Sequence, residues 1–180
     1  VLYMIGNESG KRRMTKGLQN KAAASWRLLL ASSGEVSAEE FAKRYGVKVD
    51  DGINVRLANI EVSNENGLGI FDKVPEGETP KGLADKLRQY TESRYYGTAG
   101  PEFLQHLVAD IRENGIEAFT KNLENGLTEF QKTVNSDTDP MVGRVARRFA
   151  LVAVAGELAI QYGVLPWKQR TAWEAAQVCF

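Results

Sequence analysis

Residues 25–62 read SWRLLLASSGEVSAEEFAKRYGVKVDDGINVRLANIEV, and the fold expected of this chain turns on them. Residues 26–31, WRLLLA, form a continuous apolar run broken by one arginine. A run of that kind, bounded by turn residues, has the pattern of a strand buried on both faces of a parallel sheet. It ends in Ser32, Ser33, Gly34 and Glu35. Ser37 with Glu40 three residues on makes a capping box, so a helix should start there, run to about Tyr45 and stop at Gly46. Residues 46–52 hold turn chemistry, and 53–62, INVRLANIEV, are rich in β-branched side chains. Strand, helix and strand in this span predict a βαβ unit and a parallel sheet. Active groups gather beyond the carboxyl ends of such strands, where Ser32 and Ser33 would lie.

Upstream, residues 1–13 read VLYMIGNESGKRR. Gly6, Gly10 and Lys11 imitate a phosphate-binding loop. That loop needs four residues between its glycines, and Ser or Thr after its lysine to hold magnesium. Here three residues intervene, Asn7 to Ser9, and Arg12 follows the lysine. Downstream, residues 64–80 are rich in glycine and proline and read as a loop with a short buried piece at Ile70 and Phe71. Apolar spacing then predicts helices over about 80–95, 101–113 and 115–134. Asp139 and Pro140 provide a cap and a first-turn proline for a helix to about Tyr162. It is apolar nearly all round from Phe149 to Ile160, as expected of a core element. A last helix should begin near Trp167. The expected organisation is an α/β part over 1–63, a loop over 64–80 and a helical region over 81–180.

The chain has 180 residues, 43% apolar and 26% charged, with no net charge. That is ordinary for a globular domain with a proper core. Charge is uneven: residues 9–30 carry Lys11, Arg12, Arg13, Lys16, Lys21 and Arg27 and no acid. This asymmetry marks either an anionic partner or a solvated loop. Cys179 is the only cysteine, which excludes an internal disulfide framework and suits a reducing cytosol. One histidine and one cysteine make no zinc site. The longest apolar stretch, Phe149 to Val154, is far below the roughly 20 residues that span a bilayer, so a cytoplasmic protein is expected. Both ends of the sequence read as cut from a longer protein.

Six segments, taken in order, carry a resemblance: GNESGKRR (6–13), SWRLLLASSGE (25–35), INVRLANI (53–60), GLGIFD (67–72), YYGTAGPEFLQHL (95–107) and RVARRFALVAVAGELA (144–159). Together they resemble the family catalogued as domain of unknown function 927. Its members look like P-loop ATPases related to helicases, in primase–helicase proteins of phages, plasmids and other mobile elements. The resemblance implies that this chain is the later part of such a domain. It would have a short parallel-sheet portion of a P-loop NTPase followed by a mostly helical lid, with the phosphate loop and acidic metal-binding strand upstream of Val1. ATP and Mg would belong to the complete domain and to none of this chain alone. Single-stranded DNA and further copies of the parent protein would be the partners.

Four groups are candidates for chemistry. By analogy with related ATPases, Ser32 would sense the γ-phosphate or orient water from a strand end; otherwise it and Ser33 simply terminate the strand. Arg56 would reach a neighbouring subunit's nucleotide as an arginine finger, or else pair with Asp50 or Asp51. Arg144, Arg147 and Arg148 share one helical face. They would contact phosphate from a lid helix or stand solvated in a first turn, where cations oppose the macrodipole. Lys11, Arg12 and Arg13 would track a nucleic-acid backbone or reach across a subunit interface, although no aromatic residue alternates with them. Of the remainder, His106 falls off its helix's apolar face and should be solvated. The stripe Ala146, Ala150 and Ala153 beside Glu157 predicts close helix packing, with Glu157 paired to an arginine. Trp26, Trp167 and Trp173 suit a core or an interface. The expected function is a fragment of a helicase-like ATPase acting on DNA in mobile-element replication; the alternative is a non-catalytic module that binds DNA or protein.

Overall fold

The computed structural model describes residues 9–10, 13–14, 20–46, 55, 57–62, 66–93, 95–136 and 139–180. The chain divides into two units, Val1–Asn59 and Ile60–Phe180.

Among the described residues of the first unit the expected parallel sheet does not form. Among the described residues the strands are β1 (Arg13–Met14) and β2 (Asn20–Lys21), paired antiparallel with Arg13 opposite Lys21 and Met14 opposite Asn20. A bridge between Ser9 and Ser25 extends this ribbon. Residues 26–31 are irregular, and Leu28, Leu29 and Leu30 are exposed at 53%, 66% and 48%. Of the second expected strand, Val55 is helical and buried, and residues 57–62 have no strand structure. The α/β assignment is therefore wrong for this chain. An apolar strand is held by neighbours on both edges and both faces, and the described residues supply none. The helix between the two runs does form, because its signals are local. This is α1 (Ala38–Arg44). Ser37 Oγ accepts from the Glu40 N–H at 3.1 Å. The reciprocal half of the capping box is replaced, since Glu40 accepts from Arg44 at 2.7 Å. Gly46, at φ +65°, ends the turn in a conformation other residues resist.

The second unit is helical: α2 (Pro80–Ser93), α3 (Ala99–Asn114), α4 (Ile116–Thr133), α5 (Pro140–Gln161) and α6 (Thr171–Cys179). These lie where the apolar periodicity placed them, apart from α6, which begins four residues beyond Trp167. Ile70 is not the buried anchor expected of the glycine-rich loop, being 76% exposed. Gly115 alone separates α3 from α4; its φ of +86° breaks the helix while its N–H still bonds Ile111 O at 3.0 Å. Asp139 Oδ1 accepts from the Met141 N–H at 2.7 Å and Pro140 opens α5, the cap the sequence predicts. Before it, Ser136 is buried and donates to Gln131 O at 3.0 Å.

The core lies between α4, α5 and α6: Leu127, Phe130, Ala150, Ala153, Trp173 and Ala176. The alanine stripe does bring the helices close. A methyl on Gly126 would sit 2.9 Å from Val154 Cγ2, and one on Gly156 only 2.5 Å from Ala172 Cβ. Both glycines exist because a neighbouring helix occupies the space of a side chain. α5 is not buried all round, however: Leu151 and Val152 remain 46% and 49% exposed. α2 and α3 bury no residue at all, although each is amphipathic.

Candidate functional site

The three arginines of α5 share a face but not a role. Arg144 is exposed near the start of the helix. Arg147 is engaged by α4, its Nη2 lying 2.9 and 3.0 Å from the two carboxylate oxygens of Glu124. Each side chain of that pair is half exposed, so its net contribution is about 0–1 kcal/mol. Its larger effect is to neutralise the charge that would meet a phosphate. Arg148 is half-buried and also takes part in an interaction.

Ser32 and Ser33 stand exposed in the irregular run of the first unit. Among the described residues no strand ends at them, unlike the arrangement expected from the sequence. Arg56, Lys11 and Arg12 lie outside the described residues, as does the side chain of Arg13, whose backbone belongs to β1. The glycine loop can be tested at Gly10. Its N–H donates to Ala24 O at 2.8 Å, and a methyl there would meet the Trp26 ring at 3.6 Å. A phosphate cradle points its backbone N–H groups at the ligand. The Gly10 amide is spent on its own chain and does not point at a ligand. Among the described residues no cluster of three His, Cys, Asp or Glu side chains is placed to hold a metal ion.

A different cluster joins the end of α5 to α3. Tyr162, the residue after α5, donates its hydroxyl to Asp110 Oδ2 at 2.6 Å. Asn114 Nδ2 donates to Asp110 Oδ1 at 2.8 Å. His106 is not simply solvated: its ring stacks on Tyr162, centroids 5.5 Å apart and planes 19° apart, with Glu102 Oε1 at 3.3 Å from its Nε2. Phe103 packs on the same tyrosine at 5.8 Å. Burial and the Asp110 carboxylate push Tyr162 up from 10.0 to about 12. The Tyr162 hydroxyl, then the Asn114 amide, hold Asp110 below its ordinary value. Near neutral pH the phenol keeps its proton and the carboxylate stays ionised, so the pair serves as a peg between helices and not as an acid–base couple.

The raised Tyr162 stabilises fully below pH 10.0, and its contribution is lost as pH rises through about 12. The lowered Asp110 stabilises above the ordinary carboxylate range and is lost as pH falls through its depressed value. In an alkaline titration followed by tyrosinate absorbance, one step is expected near pH 12 and should vanish in Tyr162→Phe. A variant whose titration matches the wild type would show that Tyr162 is not held by Asp110.

Glu157 is the other polar residue whose partner differs from expectation. It caps α6 from α5, accepting from the Arg170 N–H at 2.7 Å and the Trp173 N–H at 3.1 Å. It thus meets an arginine through the backbone, while the Arg170 guanidinium lies 5.1 Å over the Trp173 ring. The Trp173 indole N–H is buried without an acceptor, a cost of about 1–3 kcal/mol set against the aromatic packing around it. Neither the peg nor the clasp was legible as such, since the partners stand 52 and 13 to 16 residues apart with no spacing rule to link them.

No protein-family model, curated protein or solved structure matches this sequence. No helix among the described residues is long and apolar enough to cross a membrane.

Proposed function

We propose that this chain is a non-catalytic interaction module that binds single-stranded nucleic acid, working with the ATP-driven motor of the helicase-like proteins its sequence resembles. One observation carries the choice of a module over a motor: α2 and α3 bury no residue, and Leu87, Tyr90, Leu104 and Val108 stand 44–57% exposed on them. Apolar residues left open at helical spacing on each, Leu87 with Tyr90 and Leu104 with Val108, support a binding face. The nucleic-acid partner comes from the resemblance and from the basic stretch at residues 11–27. Arg144, exposed and set against the dipole of α5, adds a cation for a phosphate. ATP and Mg are left to the complete domain that the resemblance implies, because the Gly10 amide is occupied.

Two titrations test this. Fluorescence anisotropy with labelled single-stranded DNA should show binding at low salt that weakens at physiological salt. Arg144→Ala should reduce the salt slope by about 1. Calorimetry with MgATP should show no binding. Absence of DNA binding even at low salt would refute the nucleic-acid role, and micromolar MgATP binding would return the chain to the motor.

A further inference from the structure

We propose that the C-terminal end of α2 and the connector after it form a stacking platform for the bases of single-stranded nucleic acid, built on Tyr90, Tyr95 and Tyr96 with Arg88 beside them. This rests on the nucleic-acid reading above and assigns it a surface.

Three tyrosines within seven residues stand in solvent, at 51%, 69% and 68% exposure. Exposed tyrosines in such number at the end of one helix are not used by the core, since α2 contributes nothing to it. Tyr90 and Tyr95 are nevertheless ordered locally. The Tyr95 N–H donates to Tyr90 O at 2.9 Å, folding the connector back over the helix end. The Tyr90 and Tyr95 rings then meet edge to face, centroids 5.8 Å apart at 88°. Ser93 Oγ closes the same turn, donating to Gln89 O at 2.7 Å. Gly97, at φ +77°, then turns the chain away, with open space where its side chain would be. Rings fixed in this way lose little conformational entropy on stacking.

The charge fits a polyanion. Residues 80–96 hold Lys81, Lys86, Arg88 and Arg94 against Asp85 and Glu92. Lys86 is engaged by Glu78, and Arg88 is exposed within one turn of Tyr90. Aromatic faces interleaved with cations are what single strands bind, because every base offers a π-face whatever its identity. The segment Lys11–Arg13 lacks that interleaving; residues 88–96 have it. Duplex DNA, whose base faces are already stacked, should bind this surface far less well.

The test uses the full chain and anisotropy of a labelled oligothymidylate, single-stranded and as its duplex. Tyr95→Ala/Tyr96→Ala should weaken single-strand binding at least about tenfold without changing the salt slope, the stacking of two bases being worth that much or more. Tyr95→Phe/Tyr96→Phe keeps the rings and should retain affinity. Arg88→Ala should lower the slope by about 1. All three sites are exposed, so circular dichroism should show unaltered helix content. If the alanine pair binds like wild type while Lys11/Arg12/Arg13→Ala loses binding, the platform is wrong and the nucleic-acid reading survives. If wild type binds no DNA at low salt, both fail. If the alanine pair leaves DNA binding intact but changes the sedimentation of the protein, the tyrosines are a contact between copies and the platform is refuted.

Discussion

Phe130→Ala should lower the stability of the helical unit by about 3–5 kcal/mol, the range for deleting a fully buried phenylalanine. The ring has no solvent exposure and sits in the one cluster that α4, α5 and α6 share. It meets Trp173 edge on, centroids 5.3 Å apart. Its loss removes the transfer free energy of the ring and leaves a cavity that alanine neighbours are too small to fill. Ala150 and Ala153 cannot extend into the space, and Gly126 and Gly156 already hold the helices at closest approach. Urea unfolding followed by tryptophan fluorescence and circular dichroism reads the effect. Leu151→Ala on the exposed side of α5 is the comparison and should cost under about 1 kcal/mol. Equal small losses for both would mean that the α4–α5–α6 cluster is not the core.

Glu157→Ala is expected to destabilise by roughly 2 kcal/mol, between the effect of a helix cap and that of a hydrogen bond to a charged group. α6 spans nine residues, too few to hold a helix in isolation. Its own N-cap position is Arg170, left-handed at φ 73° and without a side-chain cap. The first-turn amides depend instead on a carboxylate carried by α5. Removing it should raise amide exchange at Arg170 and Trp173 before the rest of the unit opens, as expected of a local unfolding unit. Glu157→Gln, which can still accept hydrogen bonds, should recover about half of the loss. Exchange at these two amides that stays at the wild-type rate in Glu157→Ala would show that Glu157 is not the cap.

The clasp also shows where reading a single sequence stops. The small-residue stripe beside Glu157 announced tight packing, and the buried alanines and crowded Gly156 of α5, with Gly126 of α4, fulfil it. The identity of Glu157's partner was not announced, because it depends on how the chain returns after Gly163. Arg147 is a similar case. Its helical face was evident from spacing, but Glu124 lies 23 residues away and reaches it only once α4 and α5 are antiparallel neighbours. His106 was expected to be solvated, yet its ring stacks on Tyr162, which belongs to another element. The strand expected to end at Ser32 is absent among the described residues for the opposite reason: a strand requires neighbours that local spacing cannot supply.

By itself, then, the sequence determined what depends on interactions within a turn or two. Ser37 starts α1 and Asp139 with Pro140 starts α5, because a side-chain oxygen or a missing N–H acts on amides two or three residues away. Apolar residues spaced by three and four mark α3 and α4, and Gly115 separates them. What only the tertiary structure decided is long-range. WRLLLA has the composition of a buried strand, but a strand exists only when other strands hydrogen-bond to it, and no rule of local spacing can supply them. The same reason governs the Tyr162–Asp110 peg, the Glu124–Arg147 pair and the Glu157 clasp: each is an interaction between segments that the chain's own loops must first bring together.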